Sequence, residues 1–402
     1  MSRRLRIGFF TDSYLPVTHG VEVSIETFRR NLERAGHKVF VYAPAVPGYT
    51  DTNRRVFRFK SIRVIDTPEM RLAFPVVEGG NIRNLTRFPL DVVHVHTPFT
   101  VGLLGKYIAS HQHIPIVYTH HTHYPEYAKA YLKERVVLPF LAKSLSAWFS
   151  NISDAVIAPS PKIKALLKAY GVQKPIHVLP TGIRLQQFRR TRTCARKARA
   201  LRMRLAIAAH VPVLLFVGRL GREKNIEFLI RAFAELRKIQ PEGVFVVVGD
   251  GPIREQLKAL VTRLALKKST VFTGSVAHAQ IAAYYQAADL FVFSSLTDTQ
   301  GIVLLEAISS GLPVVALRDE AFTLMVKNRR NGILLRPDVS PELFAKRLAG
   351  LLRNRAQWRR FSVASTRIAR EFSEAKQARR LTRLYESLVD AADECRELLE
   401  GR

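Results

Sequence analysis

The sequence predicts an α/β protein made of two doubly wound, mainly parallel sheets. Three observations predict it. Short apolar runs rich in β-branched residues alternate with helical patterns of roughly ten to fifteen residues. The alternation starts afresh near the middle of the chain. At 402 residues, two or three domains can each bury a core. Sheets of this kind are covered on both faces, and ligands bind at the carboxyl ends of their strands.

The first half opens with a strand at LRIGFF (Leu5–Phe10), a glycine-bearing turn, and an amphipathic helix through Ile25, Phe28 and Leu32. KVFVYA, VFRF, DVVHVH, PIVYTH, DAVIAP and IHVLP follow as further strands. The second half restarts with VPVLLFVG (Val211–Gly218) and a helix carrying Ile226, Leu229, Ile230, Phe233 and Leu236. GVFVVVGDG, STVFTG, DLFVFSS and LPVVAL then alternate with helices. The expected boundaries are a first domain at 1–183 and a second at 184–374, with Arg184–Arg204 as a charged connection.

The net charge of +30 implies an anionic partner: nucleic acid, an anionic lipid surface or a phosphorylated small molecule. Nine Lys/Arg and no acid lie in Arg184–Arg204, and Lys346–Arg383 is also Arg-rich; both read as solvated faces. Cys194 and Cys395 are far apart and form no CxxC, which suits a reducing compartment. Ile7–Phe10 is too short for a signal-peptide core, and no apolar window approaches a membrane span. The expected location is the cytoplasm.

The most informative stretch is Ser294–Val315, SSLTDTQGIVLLEAISSGLPVV. It sets Glu306 in an apolar run eight residues after Asp298, with Gly301 between them where a helix should begin. A buried carboxylate left unpaired costs several kcal/mol, so Glu306 should have hydrogen-bond donors waiting. Asp298 and Gln300 precede a first turn whose free N–H groups favour anions. This arrangement suits a ligand with phosphate oxygens and sugar hydroxyls.

That run resembles the acid–x7–acid signature of the retaining glycosyltransferases of family 4, and its TQG triplet is most similar to the branch that glucosylates diacylglycerol. Asp298 stands where the family usually has Glu. The resemblance implies a GT-B fold, in which two Rossmann-like domains face a central cleft. It also implies that a C-terminal helix, about 375–402, crosses back to the first domain. Glu306 is then expected to hold the ribose hydroxyls of a nucleotide sugar. Asp298, Gln300, Gly301, Ile302 and Val303 are expected to hold its sugar and phosphate.

Breaking a sugar–diphosphate bond places negative charge on the leaving group, so fixed cations or a metal are needed. No DxD pair is present. GRLGREKN instead puts Arg219 and Lys224 at a strand-to-helix mouth, similar to the family's metal-replacing clamp. No cofactor and no metal are therefore expected. The GDGP turn at Gly249–Pro252 and the PVTHGV loop containing Gly20 resemble the family's turns beside the donor. His19 stands where the lipid-glucosylating branch tends to have Asn.

Seven of the twelve histidines lie between His94 and His123. No Cys or HExxH pattern accompanies them, so zinc is not expected. YTHHTHYPEY is similar to the family's T-x-H-T motif, which makes His121 the active-site histidine beside the donor sugar, with Tyr124, Glu126 and Tyr127 at the acceptor entrance. His94 and His96 read as core histidines. Pro139–Ile152 carries Phe140, Leu141, Leu145, Trp148 and Phe149 near several lysines. It fits either an interfacial helix on anionic lipid or a core-facing helix, and the resemblance favours a peripheral membrane protein.

The expected activity is retaining transfer of a hexose, with UDP-glucose as donor, to a lipid such as 1,2-diacylglycerol at the inner face of the cell membrane. A phosphatidylinositol, soluble sugar or polysaccharide precursor is the alternative acceptor. A tandem-Rossmann NAD enzyme is disfavoured because no GxGxxG follows a strand. A nucleic-acid-binding protein is motivated by charge alone, without a reading motif.

Overall fold

The computed structural model describes residues 3–17, 20–64, 67–75, 88–122 and 137–400, except for the side chains of 64, 67–70, 137–139 and 399–400. The chain divides into two compact units: Met1–Gly182 with Glu374–Arg402, and Ile183–Ser373.

The first unit carries β1 (Arg6–Phe10), β2 (Lys38–Pro44), β3 (Val56–Phe59), β4 (Ser61–Val64), β5 (Thr67–Ala73), β6 (Val92–Val95), β7 (Ile116–Thr119), β8 (Ala155–Ala158) and β9 (Ile176–Val178). Seven form one parallel sheet in the order β3-β2-β1-β6-β7-β8-β9. Alternate residues feed two cores: Ile7 and Phe9 join Ile25, Phe28 and Leu32 of the Gly20–Arg34 helix, while Phe10 joins Val101, Leu104 and Ile108 of the Thr100–Gln112 helix. The Glu374–Glu400 helix closes the first of these layers with Leu381, Tyr385 and Val389, an apolar stripe at helical spacing.

The second unit holds β10 (Val213–Val217), β11 (Val244–Val248), β12 (Thr270–Gly274), β13 (Leu290–Phe293), β14 (Val314–Leu317) and β15 (Gly332–Leu335). They form a parallel sheet in the order β12-β11-β10-β13-β14-β15. Its near-continuous Val, Leu and Phe runs are buried, as in a sheet covered on both faces.

The basic Arg184–Arg204 segment is not a connection. It forms helices at Leu185–Phe188 and Arg192–Arg204 that bury Phe188, Ala198 and Leu201 in the second core. Arg202 is not merely solvated either: its guanidinium donates to the carbonyls of Ala287, Ala209 and Val211 and to Asp289. An apolar stripe, weak in a run so rich in charge, decides the packing.

Strand order reverses between β1 and β6 in the first sheet and between β10 and β13 in the second. At such a reversal the loops leaving the two neighbouring strands turn to opposite faces. The gap left at their carboxyl ends accepts ligands.

Candidate functional site

In the second unit, the two loops that diverge at the reversal are Gly218–Asn225 after β10 and Ser294–Gly301 after β13. Hydroxyls of the second loop fasten it to the first. Ser294 Oγ lies 2.8 Å from the carbonyls of both Lys224 and Asn225, and Ser295 Oγ donates to Glu223 O at 3.2 Å. Asn225 takes a left-handed conformation (φ 51°), which Asn tolerates better than most residues. The result brings Lys224 Nζ to 2.7 Å from Asp298 Oδ1, both side chains largely buried. The other carboxylate oxygen, Oδ2, is buried without a partner. A buried acceptor left unmet is costly, and a ligand hydroxyl would satisfy it. Lys224 has donors to spare after meeting Asp298.

Gly301 caps the Ile302–Ser309 helix at φ 75°, a conformation open to glycine, and no side chain caps that helix. Ile302 and Val303 therefore present first-turn amides at the strand ends, beside Asp298 and the buried Gln300. Arg219 lies two residues past the end of β10, on the same loop as Lys224. Gly249 belongs to the neighbouring turn, but the close approach that demands glycine there is internal: an added Cβ would lie 1.9 Å from Gly218 O. Its glycines lock the turn onto the Arg219 loop, where Leu220 N donates to Asp250 O.

Glu306 is buried on the same helix, and Tyr285 donates to its Oε2 at 2.7 Å. The expected donor is thus a phenol. Burial pushes the Glu306 carboxyl up to about 7, against the pull of the Tyr285 hydrogen bond. Nothing in HAQIAAYYQAADL marks Tyr285 as functional, since its contact spans 21 residues.

At the reversal of the first sheet, Asp12 accepts hydrogen bonds from Thr97, Thr100 and the Val101 amide, tying the loop after β1 to the Thr100–Gln112 helix. Gly20 opens the Gly20–Arg34 helix, and a Cβ there would meet open space. His121 Nε2 lies 3.0 Å from His96 Nδ1, with the rings stacked 5.2 Å apart. Burial pushes the His121 imidazole down to about 3, so it is neutral at physiological pH. His94 meets the core expectation, bonded to the Tyr385 hydroxyl and, at 2.6 Å, to Thr119 Oγ1. His96 does not: one nitrogen holds His121, and the buried Nε2 has no partner. Its position two residues after His94, just past the end of β6, was the available signal. Tyr124, Glu126, Tyr127 and His123 lie outside the described residues. Among the described residues, no three His, Cys, Asp or Glu side chains are grouped to hold a metal ion.

The structure thus brings together Lys224, Asp298, Gly301, Ile302 and Val303, with Glu306 one helical turn further on. Gly20 and His121 belong to the other unit.

Two family models match the chain: "Glycosyltransferase Family 4" over residues 18–187 and "Glycosyl transferases group 1" over residues 198–367. An alpha-monoglucosyldiacylglycerol synthase of Streptococcus pneumoniae is 34% identical over 82% of this chain and 75% of its own length. A GDP-mannose-dependent alpha-mannosyltransferase of Mycobacterium tuberculosis is 29% identical over 82% of this chain and 84% of its own length. The crystal structure of Anabaena HepE in complex with UDP-glucose covers 96% of this chain and 100% of that one, with a TM-score of 0.74 at 20% identity. That likeness shows the GT-B fold.

Proposed function

We propose that this chain, which belongs to glycosyltransferase family 4, moves a hexose from a nucleotide sugar to a lipid acceptor at a membrane surface. UDP-glucose is the donor and 1,2-diacylglycerol the acceptor, the anomeric configuration is retained, and no metal takes part. The observation that carries this reading is the Lys224–Asp298 pair at the strand reversal, with Asp298 Oδ2 buried and unmet beside open helix amides.

Arg219 and Lys224 stabilise the diphosphate as it departs. Asp298 and the backbone of Gln300–Val303 hold sugar hydroxyls and phosphate, and Glu306 holds the ribose. His121, neutral and held by His96, serves the donor sugar and the acceptor. The bond from C1 to the diphosphate oxygen breaks while the acceptor oxygen binds the same face, and the departing phosphate takes the acceptor proton. The S. pneumoniae relative's name supports a diacylglycerol acceptor. The net charge of +30 and the exposed Phe140, Leu141 and Trp148 of the Val137–Asn151 helix support docking on anionic lipid. Among the described residues, no helix is long and apolar enough to cross a membrane.

A second reading keeps the chemistry with a GDP-mannose donor, as the M. tuberculosis relative's name indicates. The test offers labelled UDP-glucose or GDP-mannose with vesicles containing diacylglycerol, or with a soluble sugar. A labelled α-glucosyl diacylglycerol is expected. Label that moves only from GDP-mannose, or only to the soluble sugar, overturns the donor or the acceptor respectively.

A further inference from the structure

We infer that Tyr285 is a positioning residue for donor binding: its hydroxyl anchors one oxygen of Glu306 so that the other is presented to the ribose diol. This rests on the reading that Glu306 receives the ribose hydroxyls.

Tyr285 is fully buried on the His278–Ala287 helix, with its ring edge-on to Phe188 and tilted against Phe291. That apolar packing fixes the ring and leaves the hydroxyl to reach two acceptors. Glu306 Oε2 lies at 2.7 Å and Val303 O at 3.2 Å. A phenol has one proton to give. When Glu306 is ionised, the proton goes to Oε2. When Glu306 is protonated, the acid donates to the phenol oxygen and the phenol turns to the Val303 carbonyl. The carboxyl is therefore held in the same place in both states, and the first turn of the Ile302–Ser309 helix is held with it.

Glu306 Oε1 makes no hydrogen bond among the described residues. Its nearest ionisable neighbour is His278 Nδ1, at 4.0 Å on a largely exposed ring. The Ile302–Ser309 helix also packs on Leu185–Phe188 and Arg355–Ala369. Neither brings a charged group within ion-pairing distance of Glu306, so Tyr285 and His278 are the groups that face it. One oxygen is tied and one is open, which matches a diol that needs an acceptor held at a set height.

The experiment is calorimetry of UDP and of 2′,3′-dideoxy-UDP on the full chain, for the native protein, Tyr285→Phe, Glu306→Gln and the double variant, from pH 6 to 9. Phenylalanine keeps the ring packing. Tyr285→Phe should weaken UDP about tenfold at pH 7.5, the scale of one hydrogen bond to a charged group. The loss should shrink toward pH 9, where the unanchored acid is ionised again. Dideoxy-UDP should bind both proteins alike, and Tyr285→Phe should add nothing on the Glu306→Gln background. An equal loss with both nucleotides, at every pH or in both backgrounds, would mark a packing role and overturn the inference. If Glu306→Gln weakens UDP while Tyr285→Phe binds like the native protein, the inference fails alone. If Glu306→Gln changes nothing, the ribose reading fails with it.

Discussion

Lys224 Nζ meets Asp298 Oδ1 at 2.7 Å although the two residues leave from different strands, one on each side of the reversal in the second sheet. The pair fixes the ammonium at the carboxyl ends of β10 and β13, at the reversal.

Replacing either Lys224 or Arg219 by Ala is expected to lower kcat about 10²-fold, the scale of losing one transition-state electrostatic contact. Initial rates with saturating donor check this, and near-native kcat in both variants would remove the clamp. Lys224→Ala also strands Asp298 as a buried, unpaired carboxylate. Its melting temperature should fall, and Lys224→Ala/Asp298→Asn should recover part of that loss.

Glu306 predicts a pH dependence with a definite sign. Its folded pKa of about 7 lies above the ordinary carboxyl value of 4.5, so the folded chain holds the proton more tightly. Its contribution to stability is full below 4.5 and is lost as pH rises through 7. The difference is about 3 kcal/mol once both states are ionised. Glu306→Gln should therefore gain on the native protein in urea titrations between pH 5 and 8, while binding UDP more weakly. A constant difference across that range would contradict the assignment.

The histidines act with the opposite sign. Burial lowers His121 to about 3 and holds His94 and His96 well below 6.5. Their contribution is present above 6.5 and is lost as pH falls toward the folded values. In the Glu306→Gln background, where the opposing titration is absent, stability should drop steadily from pH 7 to pH 4. A flat profile there would mean that these imidazoles are not buried neutral.

His96→Asn should reduce kcat about tenfold through misplacement of His121, the scale of one lost hydrogen bond. It should add little on a His121→Ala background. Rate measurements on the single and double variants decide this, and additive losses would separate the two residues.

Strand positions were legible in the sequence because parallel strands buried on both faces read as unbroken Val, Ile and Phe runs. β15 escaped notice because GILL is a four-residue, half-buried edge run, and β4 and β5 because SIRV and TPEMRLA mix charge with apolar residues. Each half of the site was legible as a strand-end motif, GRLGREKN or TDTQG. Their meeting was not, since 74 residues separate Lys224 from Asp298. Tyr285 and His96 are tertiary partners of visible residues: a plain helix pattern conceals the first, and only the spacing from His94 hints at the second. Gly249 shows the converse: a glycine that suggests ligand approach is explained by the carbonyl of Gly218.

The most direct test of the clamp is the rate of transfer from UDP-glucose to diacylglycerol vesicles, measured with and without EDTA for the native protein and for Arg219→Ala/Lys224→Ala. EDTA is expected to leave the native rate unchanged, and the double variant to lose at least about 10²-fold. A native rate abolished by EDTA and restored by a divalent ion, or a double variant that turns over normally, would contradict the clamp.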